Sequence, residues 1–153
     1  MDQLFILNYQ FIINKRKKMQ AKDKKIFIAD DDADILQIIG MILKTQGYQV
    51  VTSTNAKDIF KYAAKDLPDI ILLDIWMSGI DGRDICSQLK SQELTKNIPV
   101  LFISANSNIE EIAKTYKADG YIAKPFEMDH LLERINAFFS YRNFNTRQFN
   151  YIP

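Results

Sequence analysis

Carboxylates, a hydroxyl and an ammonium stand at the ends of four apolar runs. Ile26-Phe27-Ile28-Ala29 stops on Asp30-Asp31-Asp32, Ile70-Ile71-Leu72-Leu73 on Asp74, Val100-Leu101-Phe102-Ile103 on Ser104, and Tyr121-Ile122-Ala123 on Lys124. Brought together, Asp30, Asp31 and Asp74 would repel one another and hold protons unless a cation compensates. Magnesium suits such a set, because it is held through a few carboxylates while waters and phosphate oxygens keep its remaining positions. With Lys124 as a cationic donor and Ser104 as a hydroxyl donor, the pocket could neutralise the three oxygens of a phosphoryl group. Asp74 is the expected nucleophile. It stands alone at its strand end, and phosphoryl transfer asks mainly for in-line positioning and neutralised charge.

These residues meet only if their runs are neighbouring parallel strands. From residue 26 onward, short β-branched runs alternate with segments of helical period, which argues for a parallel sheet with crossover helices. Strands are predicted at 26–29, 48–52, 69–73, 100–103 and 121–123. Between them, Ile35, Ile38, Ile39 and Ile42 mark a buried helix face, ended by Gly47. Asn55 can cap a helix with Ile59, Phe60 and Ala63 inward. Gly79 and Gly82 frame a turn before a helix at 83–90. Ile109, Ile112, Ala113 and Tyr116 give the next stripe, and Met128, Leu131, Leu132, Ile135, Phe138 and Phe139 the last. Right-handed crossovers put every strand's C-terminal end on one edge, where open α/β sheets bind ligands.

The chain has 153 residues, 47% of them hydrophobic, enough for one globular domain with a real core. Its net charge of +1 hides a split. Residues 1–25 carry seven Lys/Arg against two Asp, while 26–153 carry 13 basic and 17 acidic residues. Leu4–Ile13 is apolar but short of the roughly 20 residues a membrane span needs. The basic cluster Lys15-Arg16-Lys17-Lys18 follows it rather than preceding it, the wrong order for a signal peptide. Residues 1–23 are therefore expected to be an extension outside the fold, disordered or upstream of an alternative start at Met19. The tail 141–153 is expected to be a second extension, packed at most through Phe144 or Phe149, with Arg142 and Arg147 weak candidates for an anionic contact. The single Cys86 fits a packed position in a reducing, cytoplasmic setting.

The segments IFIADDDADIL, PDIILLDIWMSGIDG, PVLFISA and GYIAKPF, in this order and spacing over about residues 24–140, resemble the receiver domain of bacterial two-component response regulators. The resemblance implies a flavodoxin-like three-layer α/β sandwich, a five-stranded parallel sheet in order 2-1-3-4-5 with five helices. It implies that Asp74 accepts a phosphoryl group from a histidine kinase or histidine phosphotransfer protein. Asp31 would then be the direct acidic ligand of Mg2+, Asp30 would act mainly through metal-bound water, and Asp74 and the backbone carbonyl of Trp76 would complete the protein ligands. Lys124 would contact the phosphoryl group, Ser104 would move toward it, and small Ala105 would admit the donor. Tyr121 would turn inward, shifting the face built from the fourth helix, fifth strand and fifth helix toward a partner. Trp76 and Asn106 match positions that tune the lifetime of the acyl phosphate, and Lys124-Pro125 matches a cis bond.

Receivers commonly carry Met-Pro-Gly where this chain has Met77-Ser78-Gly79, so the loop is expected to be looser. The expected product is a stand-alone switch without a DNA-binding domain. Its only chemistry would be magnesium-dependent self-phosphorylation from a phosphodonor and autodephosphorylation. One rival is a haloacid dehalogenase-like phosphatase with Asp30 and Asp32 as its nucleophile pair, although the late acidic pair and cap region are missing. The other is a receiver-like binding module that works without phosphorylation. Asp30, Asp32 and Asp34 could begin a calcium loop, but Ile35 stands where glycine is needed. Asp32 or Ala33 is expected to start a helix, and His130 to be a solvated surface residue.

Overall fold

A computed structural model describes residues 2–21 and 23–149, with side chains for 2–14 and 23–140. Alternating apolar runs and helical stripes fold into parallel strands joined by helices. The sheet strands are β1 (Lys25–Ala29), β2 (Gln49–Ser53), β3 (Ile70–Asp74), β6 (Val100–Ser104) and β7 (Gly120–Ala123), in spatial order β2-β1-β3-β6-β7. This is the expected 2-1-3-4-5 order once a small antiparallel pair, β4 (Trp76–Met77) and β5 (Ile80–Asp81), is set aside. The helices are α1 (Gln3–Ala21), α2 (Ala33–Thr45), α3 (Asp58–Ala63), α4 (Gly82–Ser91), α5 (Ile109–Thr115) and α6 (Met128–Phe149).

Period two divides the strand side chains between two cores. Phe27, Ala29, Ile71, Leu73, Val100 and Phe102 pack with Ile59, Ile85, Cys86, Leu89, Ile109 and Ala113 from α3, α4 and α5. Ile26, Ile28, Ile70, Leu72, Leu101, Ile103 and Ile122 pack with Leu36, Ile39, Leu43, Leu131, Ile135 and Phe139 from α2 and α6. Burying each Ile, Leu, Val or Phe side chain among them stabilises the fold by roughly 1.5–3 kcal/mol. A slip of one residue in any strand would exchange the two sets, so the register is strongly held. In that register Ala29 lies opposite Leu73, Asp74 opposite Ile103, and Ser104 opposite Ala123. Asp30, Asp74, Ser104 and Lys124 therefore emerge at one sheet edge.

One expectation needs correction. The buried stripe of α2 is Leu36, Ile39, Gly40 and Leu43, with Ile38 exposed. The helix is apolar over more than one face, and the side lacking a Cβ at Gly40 is the one that approaches Thr52 of β2, where an added methyl would lie 3.3 Å from its side chain. Residues 1–23 were expected to be an extension outside the fold, disordered or upstream of the start; the backbone is helical over Gln3–Ala21, and Leu4, Phe5, Leu7 and Phe11 are exposed and absent from both cores. Together with the hairpin strands, this helix accounts for the elements beyond the expected five and five. At the other end, α6 runs on through Phe149, into the segment 141–153 expected to be a tail. The side chains of Phe144, Phe149, Arg142, Arg147 and the basic cluster 15–18 lie outside the described residues, as do residues 150–153. Among the described residues, no helix is long and apolar enough to cross a membrane.

Candidate functional site

Asp30 leaves the end of β1 and is 3% exposed. One carboxylate oxygen accepts the Asp32 amide at 3.0 Å and the other accepts the Lys124 ammonium at 2.7 Å. Asp74, 7% exposed, ends β3, with its carboxylate 3.7 Å from the same ammonium. Asp31 is exposed, and its Oδ2 accepts both the amide of Ser78 at 3.1 Å and the hydroxyl of Ser78 at 3.0 Å. One oxygen from each of Asp30, Asp31 and Asp74 lies within 4.8 Å of the others. Close carboxylate oxygens beside a single lysine are a donor set of the hard, anionic kind that a divalent cation needs.

Asp74, Trp76, Ser104, Ala105, Asn106 and Lys124 line one cleft of about 360 Å³. Ser104 is 2% exposed, and its hydroxyl oxygen accepts the Asn106 amide at 3.2 Å. Trp76 stands on the rim, its ring stacked on the Arg83 guanidinium at 4.5 Å, with Tyr116 beyond it at 5.6 Å. Tyr121 is not among the cleft residues. Its hydroxyl donates to Glu110 of α5 at 3.3 Å. The Lys124-Pro125 bond is cis. Asp32 takes no part in the acidic cluster, because its carboxylate caps α2 through the Asp34 and Ile35 amides. That removes the second member of the phosphatase-like nucleophile pair.

The family model described as the response regulator receiver domain matches residues 26–136, which include every one of these side chains. The chain belongs to the response regulator receiver family. This receiver is 33% identical over 119 residues to the alkaline phosphatase synthesis transcriptional regulatory protein PhoP of Bacillus subtilis, covering 75% of this chain and 48% of that protein. It is 35% identical over 113 residues to the response regulator SaeR of Staphylococcus aureus, covering 72% and 48%. The chain thus spans about half the length of the curated relatives it matches. Among solved structures, the Francisella response regulator 1452 receiver domain superposes with a TM-score of 0.71 at 26% identity, over 78% of this chain and 99% of its own. The chemotaxis protein CheY4 of Vibrio cholerae gives 0.69 at 25% identity, over 74% and 97%.

The receiver cleft is electrostatically unbalanced without a cation. Burial pushes the Asp74 carboxyl up to about 6; the Lys124 ammonium and the Trp76 amide pull it down, while Asp30 and Asp31 push it further up. Burial also opposes the charge on Lys124, but its hydrogen bond to Asp30 and the charges of Asp74, Asp30 and Asp31 outweigh that and hold its pKa above the ordinary value. In metal-free protein, Asp74 should therefore titrate near pH 6 when followed by carboxyl-carbon NMR. Magnesium should move the midpoint down, because ligands bind it deprotonated. A midpoint no higher than the ordinary carboxyl value of 3.8 without metal would contradict this picture of the cleft.

Two residues that shape the cleft escaped the sequence reading. Ser78 was seen only as a missing proline, whereas a serine at that position supplies two donors that proline lacks. The expected loosening is not what the structure has: Ser78 ties the loop to Asp31, β4 pairs with β5, and the Gly82 amide donates to the Ile75 carbonyl at 2.7 Å. Gly82 was read as framing a turn. In the structure its α-carbon lies so close to the Asp74 backbone that no side chain fits.

Proposed function

We propose that this receiver takes a phosphoryl group onto Asp74 from a phosphohistidine of a histidine kinase or histidine phosphotransfer protein, and signals by protein contact. The observation that carries the reading is the buried Asp74 carboxylate in an open cleft, facing Lys124 and flanked by Asp30 and Asp31. A carboxylate oxygen of Asp74 attacks phosphorus in line, and the bond from phosphorus to the donor imidazole nitrogen breaks. Asp74 becomes a mixed anhydride, and the imidazole leaves with the electron pair and takes a proton from solvent. Lys124 supplies a fixed positive charge next to the incoming oxygens, and Ser104 supplies a hydroxyl donor.

Asp30, Asp31, Asp74 and the backbone carbonyl of Trp76 would hold Mg2+, which when bound offsets the crowded negative charge of carboxylates and phosphate. Once Ser104 turns toward the phosphoryl group, Tyr121 is free to leave Glu110 and move inward. The α5–β7–α6 face then changes its population of states, and a downstream protein reads that change. Reversal is hydrolysis of the anhydride, so the only chemistry of the receiver itself is self-phosphorylation and its loss.

Incubation with a small acyl phosphate and magnesium, followed by intact mass and peptide mapping, tests the proposal. An adduct of about 80 Da located at Asp74, reduced by EDTA, is the mass of one phosphoryl group replacing a proton and is the expected result. Steady hydrolysis of a phosphate ester without an adduct would favour a phosphatase. Protein that stays unmodified with small donors and with histidine kinases would favour a binding module.

A further inference from the structure

We propose that Ser78 is a positioning residue for the cation site, its amide and hydroxyl together fixing Asp31 for metal binding. The inference rests on the reading of Asp31 as a magnesium ligand. Asp31 is exposed, so its side chain has free rotamers to lose, whereas Asp30 is already fixed by the Asp32 amide and the Lys124 ammonium. Ser78 makes up that difference. Both of its donors converge on Oδ2 of Asp31, at 3.1 and 3.0 Å, across 47 residues of sequence. Hydrogen bonds to an ionised acceptor are the strong kind, and two from one residue set direction as well as distance. Both fall on Oδ2 and neither on Oδ1, so one oxygen of Asp31 stays clear of these donors.

The hairpin makes this possible. Trp76 pairs with Asp81 and Met77 with Ile80, so Ser78 and Gly79 form the turn, with Gly79 at φ +74. The turn is thereby aimed back at the start of α2, and Ser78 becomes its contact with the acidic cluster. A proline in the same place could neither donate its nitrogen nor offer a hydroxyl. In this chain, the residue that departs from the common Met-Pro-Gly pattern is therefore the one that holds the metal ligand.

Partners that orient metal ligands typically change metal affinity about 10–100-fold when removed, and an exposed ligand places Ser78 at the low end of that range. The experiment is a titration of the full chain with magnesium chloride alone, followed by the fluorescence of its single tryptophan, Trp76, with manganese binding by electron paramagnetic resonance as a second readout. Ser78→Ala, which keeps the amide, should bind about tenfold more weakly. Ser78→Pro, which loses both donors, should bind more weakly still, and Ser78→Thr, which keeps both, should match the native chain. Urea unfolding in EDTA separates positioning from folding: Ser78→Ala and Ser78→Thr should unfold together there and differ only when magnesium is added. Equal or tighter magnesium binding by Ser78→Ala would overturn the proposal. A native chain that binds neither metal would overturn the metal-site reading itself, and the positioning role with it.

Discussion

Asp74→Asn should abolish the phosphate adduct while making the metal-free protein more stable at neutral pH. The first half follows from removing the attacking carboxylate, since an amide oxygen is too weak a nucleophile to replace it. The second half follows from the environment. The carboxyl of Asp74 is held near 6 against an ordinary 3.8, so the folded state binds its proton more tightly than the unfolded state does. Between those two values the folded state carries more protons, and stability must fall as pH rises through that window. At pH 7 the whole cost is present. Two pH units correspond to about 3 kcal/mol as a ceiling, and solvent at the cleft mouth screens this to about 1–2 kcal/mol. The asparagine side chain is nearly the same shape and carries no charge to desolvate. Urea unfolding at pH 7 in EDTA should therefore place Asp74→Asn above the native chain. At pH 4, where the folded-state carboxyl is protonated, the gap should close. Saturating magnesium should narrow it at pH 7, because the cation stabilises the native carboxylate and not the amide. An adduct surviving in Asp74→Asn, or a variant less stable than the native chain in EDTA, would refute the placement of Asp74 as a strained acceptor.

The large-scale design was legible because it depends on patterns that a linear sequence carries. Ile70-Ile71-Leu72-Leu73 is apolar at every position because helices cover both faces, and the structure buries all four. The polar residue ending each run told where the strand stops and what the sheet edge would hold. The helix faces were less legible. In α2, Ile35, Ile38 and Ile42 are as apolar as Leu36, Ile39 and Leu43, and only packing on the sheet, with Gly40 close to Thr52, turns the second set fully inward. Contacts between residues distant in sequence were invisible. The bonds from Ser78 to Asp31, the stack of Trp76, Arg83 and Tyr116, and the tether from Tyr121 to Glu110 join different elements and depend on how these are set against one another rather than on any local period.

Gly82→Ala should damage the fold and the chemistry together, and its neighbour Gly79 shows why. The hairpin β4–β5 brings the chain back onto the end of β3, where the Gly82 amide donates to the Ile75 carbonyl at 2.7 Å. A Cβ on Gly82 would lie 2.1 Å from the Asp74 carbonyl oxygen, 3.0 Å from the Ile75 Cα and 3.1 Å from the Asp74 carbonyl carbon. All three are backbone atoms, so no side chain can rotate away. Asp74 resists retreat, because it is paired with Ile103 in the centre of the sheet. The start of α4 must move instead, breaking the Ile75 bond and disturbing the Asp81 cap, whose carboxylate accepts the Arg83 amide at 2.9 Å. Overpacking against rigid neighbours costs about 1–3 kcal/mol and more when the backbone must shift, so a loss of about 3 kcal/mol or greater is expected. Any share of the strain taken up by Asp74 moves the nucleophile, and a displacement near about 1 Å can lower the rate about 100-fold. Gly79 has nothing within 4 Å of its missing Cβ but sits at φ +74. Gly79→Ala should thus cost only the left-handed backbone penalty of about 1–2 kcal/mol, with adduct formation near native. Urea unfolding and the rate of adduct formation separate the two. If Gly82→Ala proves no worse than Gly79→Ala in both, the close approach to Asp74 is not what that glycine serves.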